Sequence, residues 1–490
     1  MAVSPLMLQC DKAQDPRLPA LLTQRIDTRA TIANPWGLFP QLSPFLSRRQ
    51  TMKAIKTALL GLALLGAATT ALAQNEQFIP MIGYWVGPYA AGGSGIFGGF
   101  IDYINMVNAR DGGVNGVKLT YEKCETEYNN ARGVECYERE KNKGSTGATV
   151  INPLSTGITY SLIDKVAADK IPLVSLGYGR TDASDGRVFP YVFPLITNYW
   201  SQNTAVIKFI GMKEGGMDKL KGKKIVNIYH DSAYGKETLP ILDAQAKKYG
   251  FVLTTIPVAH PGNEQGAQWL EVRQIKPDWV ILRGWGVMNP TAIKAAAKVG
   301  FPRDHIVGEW WSGAEEDTIP AGDAAKGYIA AGFNVAGANF PVVQEIKKYV
   351  YGKGKGEMED QARVGSIYYN RGVVHGLVTV EAIRTAQAKY GKGKPITPEQ
   401  MRWGIEHLQI TEARLKELGA TGFMQPLKVT CADHEGGGAV KFQQWDGNQW
   451  KVITDWIQPD RDLVRSMVEQ SAAAYAKEKN ITPRDCAKEA

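Results

Sequence analysis

Cysteine is scarce in this 490-residue chain: there are five, and no two stand in C-x-x-C spacing, which counts against a cysteine zinc site. The six histidines (230, 260, 305, 375, 407 and 434) are scattered, with no H-E-x-x-H. A G-x-S-x-G elbow and a phosphate-binding G-x-x-x-x-G-K-[ST] loop are also missing. No constellation argues for turnover, and no metal or cofactor is expected. Basic charge is short too, once the N-terminus is set aside. The formal net charge is +8, but residues 1–73 hold 8 Lys/Arg against 3 Asp/Glu, leaving 49 against 46 for residues 74–490. A body this close to neutral lacks the basic stripe that nucleic-acid binding needs. Long apolar runs are absent after residue 73, so no later segment is expected to cross a bilayer.

What is present begins at Met52, with MKAIKTALLGLALLGAATTALAQ. Lys53 and Lys56 form a positive start, Thr57 to Ala68 an apolar core, and Ala71-Leu72-Ala73 a small-x-small cleavage site before Gln74. That is a secretory signal in three parts, too short in its apolar core to span a membrane. Residues 52–73 are therefore expected to be a signal peptide, and residues 1–51 an extension ahead of the true start. Export gives the remaining cysteines a meaning. Cys124, Cys136, Cys431 and Cys486 are an even set in an oxidising compartment, and disulfides are expected. Of three connectivities, the pairings nearest in sequence are Cys124–Cys136 and Cys431–Cys486. On loop entropy they would contribute roughly 3 and 4 kcal/mol.

From Phe78 onward, strand-like runs such as FIPMIGYW, ATVINPL, KKIVNIYHD, DWVILRGW and HIVGEWW alternate with helical patterns such as TYSLIDKVAADK and PTAIKAAAKVG. Repeated alternation of this kind predicts α/β architecture with largely parallel sheets and helices on both faces. The pattern cycles twice, to about Thr197 and then to about Asn334. The helical stretch IYYNRGVVHGLVTVEAIRTAQAKYG follows, then a β-rich end with a hairpin turn at Asp446-Gly447. Residues 459–490 read as a helical, charged tail pinned by Cys486.

One motif invites a cofactor. Gly93, Gly95 and Gly98 form a literal G-x-G-x-x-G after an apolar strand. Yet Gly87 to Gly92 intervene between strand and motif, and position 118, where a ribose-binding acid would be sought, is Lys118. The glycines are instead expected to form a loop where main chain skirts a ligand cleft beside Trp85. In parallel sheets ligands bind beyond the carboxyl ends of the strands. There this chain collects Trp85 and Tyr89; Ser155 and Thr156; Ser175, Gly177 and Tyr178; Tyr234, Trp285, and Glu309-Trp310-Trp311. Ser155 and Thr156 open a helix, where hydroxyls and free N–H groups can hold a carboxylate. His230-Asp231 reads as structural, and Glu315-Glu316-Asp317 as a solvated helix start.

MIGYWVGPYAAGG, NMVNARDGGVNGVKL, NPLSTGITYSLIDKVAADKIPLVSLG, IYHDSAYGKE, DWVILRGWG and YYNRGVV together resemble the periplasmic substrate-binding proteins of branched-chain amino-acid ABC transporters, over nearly all of residues 78–457. The resemblance implies a Venus-flytrap type I binding protein. Two doubly wound lobes (74–197 with 332–425, and 198–331 with 426–458) would be joined by a hinge. It implies no enzyme activity, a periplasmic monomer, and delivery of a small solute to permease subunits at the membrane. Ser155, Thr156 and the Ser175–Tyr178 turn match the family's carboxylate grip, and Tyr234, Trp285 and Tyr369 fall among its ligand-side aromatics. A hydrophobic amino acid, branched-chain above all, is expected if Glu309 faces the cleft to meet an ammonium. An aromatic acid, an amide or a urea-like solute is expected if Trp310 does. An extracytoplasmic ligand sensor is the alternative role. An early bridge in the family also supports Cys124–Cys136.

Overall fold

The computed structural model describes residues 75–489; the expected signal peptide and the extension before it lie outside the described residues. The first sheet opens with β1 (Glu76–Phe78) and β2 (Met81–Gly83), which pair in parallel with β3 (Lys118–Thr120) and β4 (Lys123–Glu125). The ladder continues across the break, since Ile79 and Met81 donate to the Thr120 and Glu122 carbonyls at 2.8 and 2.9 Å. Pro80 interrupts it because proline has no N–H to give. On the other side Thr149 donates to the Phe78 carbonyl, and Ile151 bridges to β5 (Leu173–Val174), itself parallel to β6 (Val192–Phe193). Counted along the chain, the order is second, first, third, fourth, fifth.

The second sheet repeats that order. Its parallel strands are β7 (Lys224–His230), β8 (Val252–Val258), β9 (Trp279–Arg283), β10 (Ile306–Gly308) and β11 (Ile329–Gly332), arranged β8-β7-β9-β10-β11. All five residues of β9 are buried, as expected for a strand covered on both faces. The short antiparallel pair β12 (Gln409–Ile410) and β13 (Leu427–Lys428) stands apart. The hairpin β14 (Lys441–Trp445) and β15 (Trp450–Val452) then extends the second sheet antiparallel to β11. Its turn is at Asp446, whose side chain accepts from the Asn448 and Gln449 N–H groups.

The chain passes from one sheet to the other three times. It leaves β6 for helix Tyr199–Glu214 and β7, and leaves β11 for helix Ile367–Tyr390, which packs on helix Ala90–Asp111 beside the first sheet. It returns only after His434, which stacks on Phe193 of β6 at 4.0 Å, so β13 stays beside the first sheet. Helix Arg461–Lys479 is no loose tail. Val464 and Val468 pack with Trp200 and Ile241, while Ala472, Tyr475 and Ala476 join the core around Ile158 and Phe189. Both expected disulfides, Cys124–Cys136 and Cys431–Cys486, are formed.

The glycine-rich segment is not a loop. Gly93, Gly95 and Gly98 lie inside helix Ala90–Asp111, and their use is close packing. A Cβ on Gly93 would stand 2.0 Å from the Tyr84 carbonyl, and one on Gly92 would stand 2.5 Å from the Trp285 ring. Bare backbone lets this helix seat against its own sheet and against the other half of the molecule.

Candidate functional site

In both sheets the first strand lies between the second and the third, and this reversal point is where doubly wound folds bind ligands. The segments that leave those strand ends face one another here. Tyr84, Tyr89 and Tyr128, Ser155 and Tyr178 come from the first sheet's side; His230, Tyr234, Trp285, Glu309, Trp310 and Trp311 come from the second's. A cleft of about 460 Å³ opens between them, lined by Tyr89, Tyr128, Ser155, Gly157, His230 and Tyr234 among others. Behind it the strand-end rings pack into a buried aromatic cluster, the floor of the chamber that the cleft opens. The Trp285 ring is 1% exposed and lies 5.5 Å from Trp311, 5.6 Å from Tyr368, 6.2 Å from Tyr89 and 6.3 Å from Tyr84.

On the first side, Ser155 caps helix Thr156–Asp169 and accepts from the Ile158 N–H at 3.4 Å. The Thr156 hydroxyl accepts from Gly179 N–H at 3.2 Å and reaches the Tyr199 hydroxyl at 3.4 Å. Ser175 donates within its own turn, to the Tyr178 carbonyl at 2.9 Å. Ser175 thus spends its proton within its turn, whereas Ser155 and Thr156 accept from backbone N–H and keep O–H donors, beside the free backbone N–H of the helix start. Tyr178 stacks on Trp311 at 4.0 Å and exchanges a 2.8 Å hydrogen bond with Tyr84. Strained backbone gathers at these strand ends. Glu127, Tyr128, Leu154 and Leu176 all have positive φ (50°, 61°, 45° and 40°), and Gly177 takes φ 76° where glycine costs nothing. Non-glycine residues held this way cost of order 1–3 kcal/mol each and collect where function fixes the geometry.

The second side carries charge. Glu309 is 2% exposed; its Oε1 accepts from the Trp311 N–H at 2.9 Å and from the Tyr234 hydroxyl, while Oε2 has no partner. Burial pushes its carboxyl up to about 7, against the pull of Arg283 and the Tyr234 bond. Arg283, the last residue of β9, donates Nε to the Tyr234 carbonyl at 3.2 Å and lies over the Tyr199 and Tyr234 rings at 4.1 and 4.6 Å. Arg371, from helix Ile367–Tyr390, donates to Asn334 and to the Trp310 carbonyl and lies 4.6 Å from the Trp311 ring. Glu309 and Trp310 are both buried behind the cleft rather than lining it. Glu309 turns to Tyr234, and Trp310 reaches across to donate its indole N–H to the Gly177 carbonyl at 3.1 Å.

Four expectations change. Trp85 packs on Phe97 at 5.1 Å with Lys123 above it, away from the chamber, and its neighbour Tyr84 takes the inward place. Tyr369 bonds Asp102 at 2.8 Å on the far side of its helix; Tyr368 faces the chamber and bonds the Trp311 carbonyl at 2.8 Å. His230 is not merely structural. Its Nε2 meets the Tyr89 hydroxyl at 2.9 Å across the cleft, and burial beside His260 lowers it to about 4. Asp317 is no solvated helix residue either. It is 2% exposed, bonded by Asn289, Tyr368 and the Ala314 N–H, and burial raises it to about 7. Arg283, Arg371, Tyr128 and Tyr199 escaped the sequence reading. An arginine ending the otherwise apolar strand WVILR was the one available signal.

This arrangement, two doubly wound halves whose strand ends meet across a cleft floored by buried aromatic and charged side chains, is that of a two-lobed solute-binding protein. The chain belongs to the periplasmic binding protein family, whose model matches residues 76–449. Among solved structures it is 51% identical to a protein described as an ABC transporter permease from the Pseudomonas fluorescens group, covering 84% of this chain and 99% of that one, with a TM-score of 0.79. A branched-chain amino-acid ABC transporter protein from Thermus thermophilus with bound valine is similar at 20% identity (81% and 99% covered, TM-score 0.67). An R. palustris solute-binding protein in complex with benzoate is similar at 18% (79% and 97%, TM-score 0.60). Both of these share the type I fold. No curated protein matches the chain.

Proposed function

We propose that this protein is exported to the periplasm by the Met52 signal, captures a small carboxylate-bearing solute between its lobes, and hands it to the permease of an ABC transporter. It acts as a monomer and as a binder, not an enzyme. The lobes divide near residues 197/198 and 331/332, and ligand bridging them would favour the closed arrangement. The observation that carries this reading is the cleft at the two reversal points and the buried cluster behind it, where charged and polar atoms stand without protein partners. Native interiors leave few such atoms unpaired, and a bound solute is the usual completion.

The amino-acid form of the reading has Glu309 Oε2 in its favour, an acceptor free for an ammonium. Binding of aromatic acids has in its favour the ring-lined walls and the Trp310 indole. The first test is a thermal-shift screen of purified protein with aliphatic amino acids, aromatic acids and short amides. A ligand at 100 times its Kd adds about 2.7 kcal/mol of stability. A shift from small carboxylates, with the solute recovered unchanged, is the expected outcome; chemical conversion of the solute, or response only to uncharged solutes, would overturn the reading.

A further inference from the structure

Among the described residues, three fully buried charged side chains form no salt bridge and leave a polar atom unbonded: Arg283 (Nη2), Glu309 (Oε2) and Arg371 (Nη2). All three belong to one buried cluster behind the cleft. Arg283 lies against Tyr199 and Tyr234, Glu309 accepts from Tyr234 and Trp311, and Arg371 lies against Trp311 and Tyr368. The Trp285 indole N–H, in the same aromatic cluster, is also unbonded. With Asn289 Oδ1, whose amide donates to the Trp311 carbonyl and Asp317 in the same cluster, three orphan donors, two of them cationic, stand against two orphan acceptors. A buried guanidinium needs an acceptor, and preferably a countercharge.

We propose that the solute presents an oxyanion and no ammonium, and that Arg283 and Arg371 are the specificity-determining residues that select it. This deepens the solute-binding reading and depends on it. An amino acid would bring its ammonium to Glu309, the carboxyl already under the field of both arginines, and would leave the surplus donors unsatisfied. A carboxylate on an apolar or aromatic body satisfies the donors, and a protonated Glu309 then becomes a further donor. The groups around Glu309 are the Tyr234 and Tyr199 hydroxyls, Arg283 on β9, Arg371 on the long helix, and Tyr328 ahead of β11. The tyrosines are all raised well above 10. Asp317, on the Arg371 side, titrates in the same range as Glu309 and favours an anion by the same protonation.

The test compares matched solutes that differ by the ammonium alone: leucine with 4-methylpentanoate, and phenylalanine with 3-phenylpropanoate, by calorimetry at pH 6 and pH 8. The ammonium-free acid of at least one pair should bind at least about tenfold tighter than its amino acid. Its affinity should rise at pH 6 by up to about tenfold, since proton uptake accompanies anion binding. Arg283→Gln or Arg371→Gln should abolish the preference. Amino acids binding equally or more tightly, or weakening at pH 6 as an ammonium–carboxylate contact would, overturns the anion proposal while leaving the solute-binding reading intact. No binding by any of the four overturns the anion proposal, and the broader screen above then decides the fate of the solute-binding reading separately. Should either variant fail to fold, the direction of the pH effect on the wild-type protein separates the same two outcomes.

Discussion

The two faces of the chamber are built from the same topology and bring different chemistry. At the first sheet's strand ends the buried side chains are uncharged: a capped helix start, hydroxyls with bonds inside the protein, and backbone held at positive φ in Glu127, Tyr128, Leu154 and Leu176. The second lobe supplies Arg283 and Glu309, and helix Ile367–Tyr390, which packs beside the first sheet, brings Arg371. A duplicated fold gives two crevices at equivalent points, but strand ends there are free to carry any side chain. In this protein the first sheet's strand ends fix shape, while the second sheet's strand ends, together with Arg371 of the long helix, set the charge.

Substitutions can break that division. The largest effect is expected for Trp285→Ala. Its ring contacts both halves, and emptying it should cost about 3–5 kcal/mol in chemical denaturation and abolish solute binding. Retained affinity would show that the chamber is not where solute sits. Next comes Thr156→Val. The sequence alone suggests a binding defect with unaltered folding. The structure adds that the Gly179 N–H would lose its acceptor, so stability should fall by about 1–3 kcal/mol as well. A full loss of binding at unchanged stability would return the hydroxyl to the ligand.

A smaller effect is expected at the cleft mouth. Tyr89→Phe removes the bond to His230 and should cost about 0.5–1.5 kcal/mol, read as faster solute release in stopped flow. Acid probes the same contact from the other side. His230 is lowered to about 4 by burial, below its ordinary value of 6.5, so the folded protein binds fewer protons there than the unfolded chain. Its contribution to stability is present above pH 6.5 and is lost as pH falls towards 4. His230→Gln should flatten that part of the stability profile measured by urea denaturation. The smallest effect belongs to Trp85→Phe, which touches Phe97 and Lys123 outside the chamber and should leave affinity within twofold. A larger change would reopen the placement of that ring.

Much of the site was legible. Ser155, Tyr178, Tyr234, Trp285, Glu309 and Trp310 were chosen because they follow strands, and the structure brings them to one place. The misses were of phase. Tyr84 and Trp85 stand just beyond Gly83, where β2 ends, so strand alternation no longer says which ring turns inward. Tyr368 and Tyr369 lie in a helix buried on nearly every side, where apolar periodicity cannot single out a face. The glycines of helix Ala90–Asp111 looked like a loop because nothing local announces a neighbour pressing on the backbone from 2.0 Å.

By itself the sequence determined the alternating architecture, the four paired cysteines, and the strand ends at which aromatic and polar side chains collect, because these follow from local periodicity and from topology. Only the tertiary structure decided which charges share the chamber. Arg283 and Arg371 are 88 residues apart in sequence, and neither shows its burial or its missing countercharge until β9 and the long helix are packed against the same aromatic wall. Burial is a property of what surrounds a side chain, and here those surroundings come from both sheets.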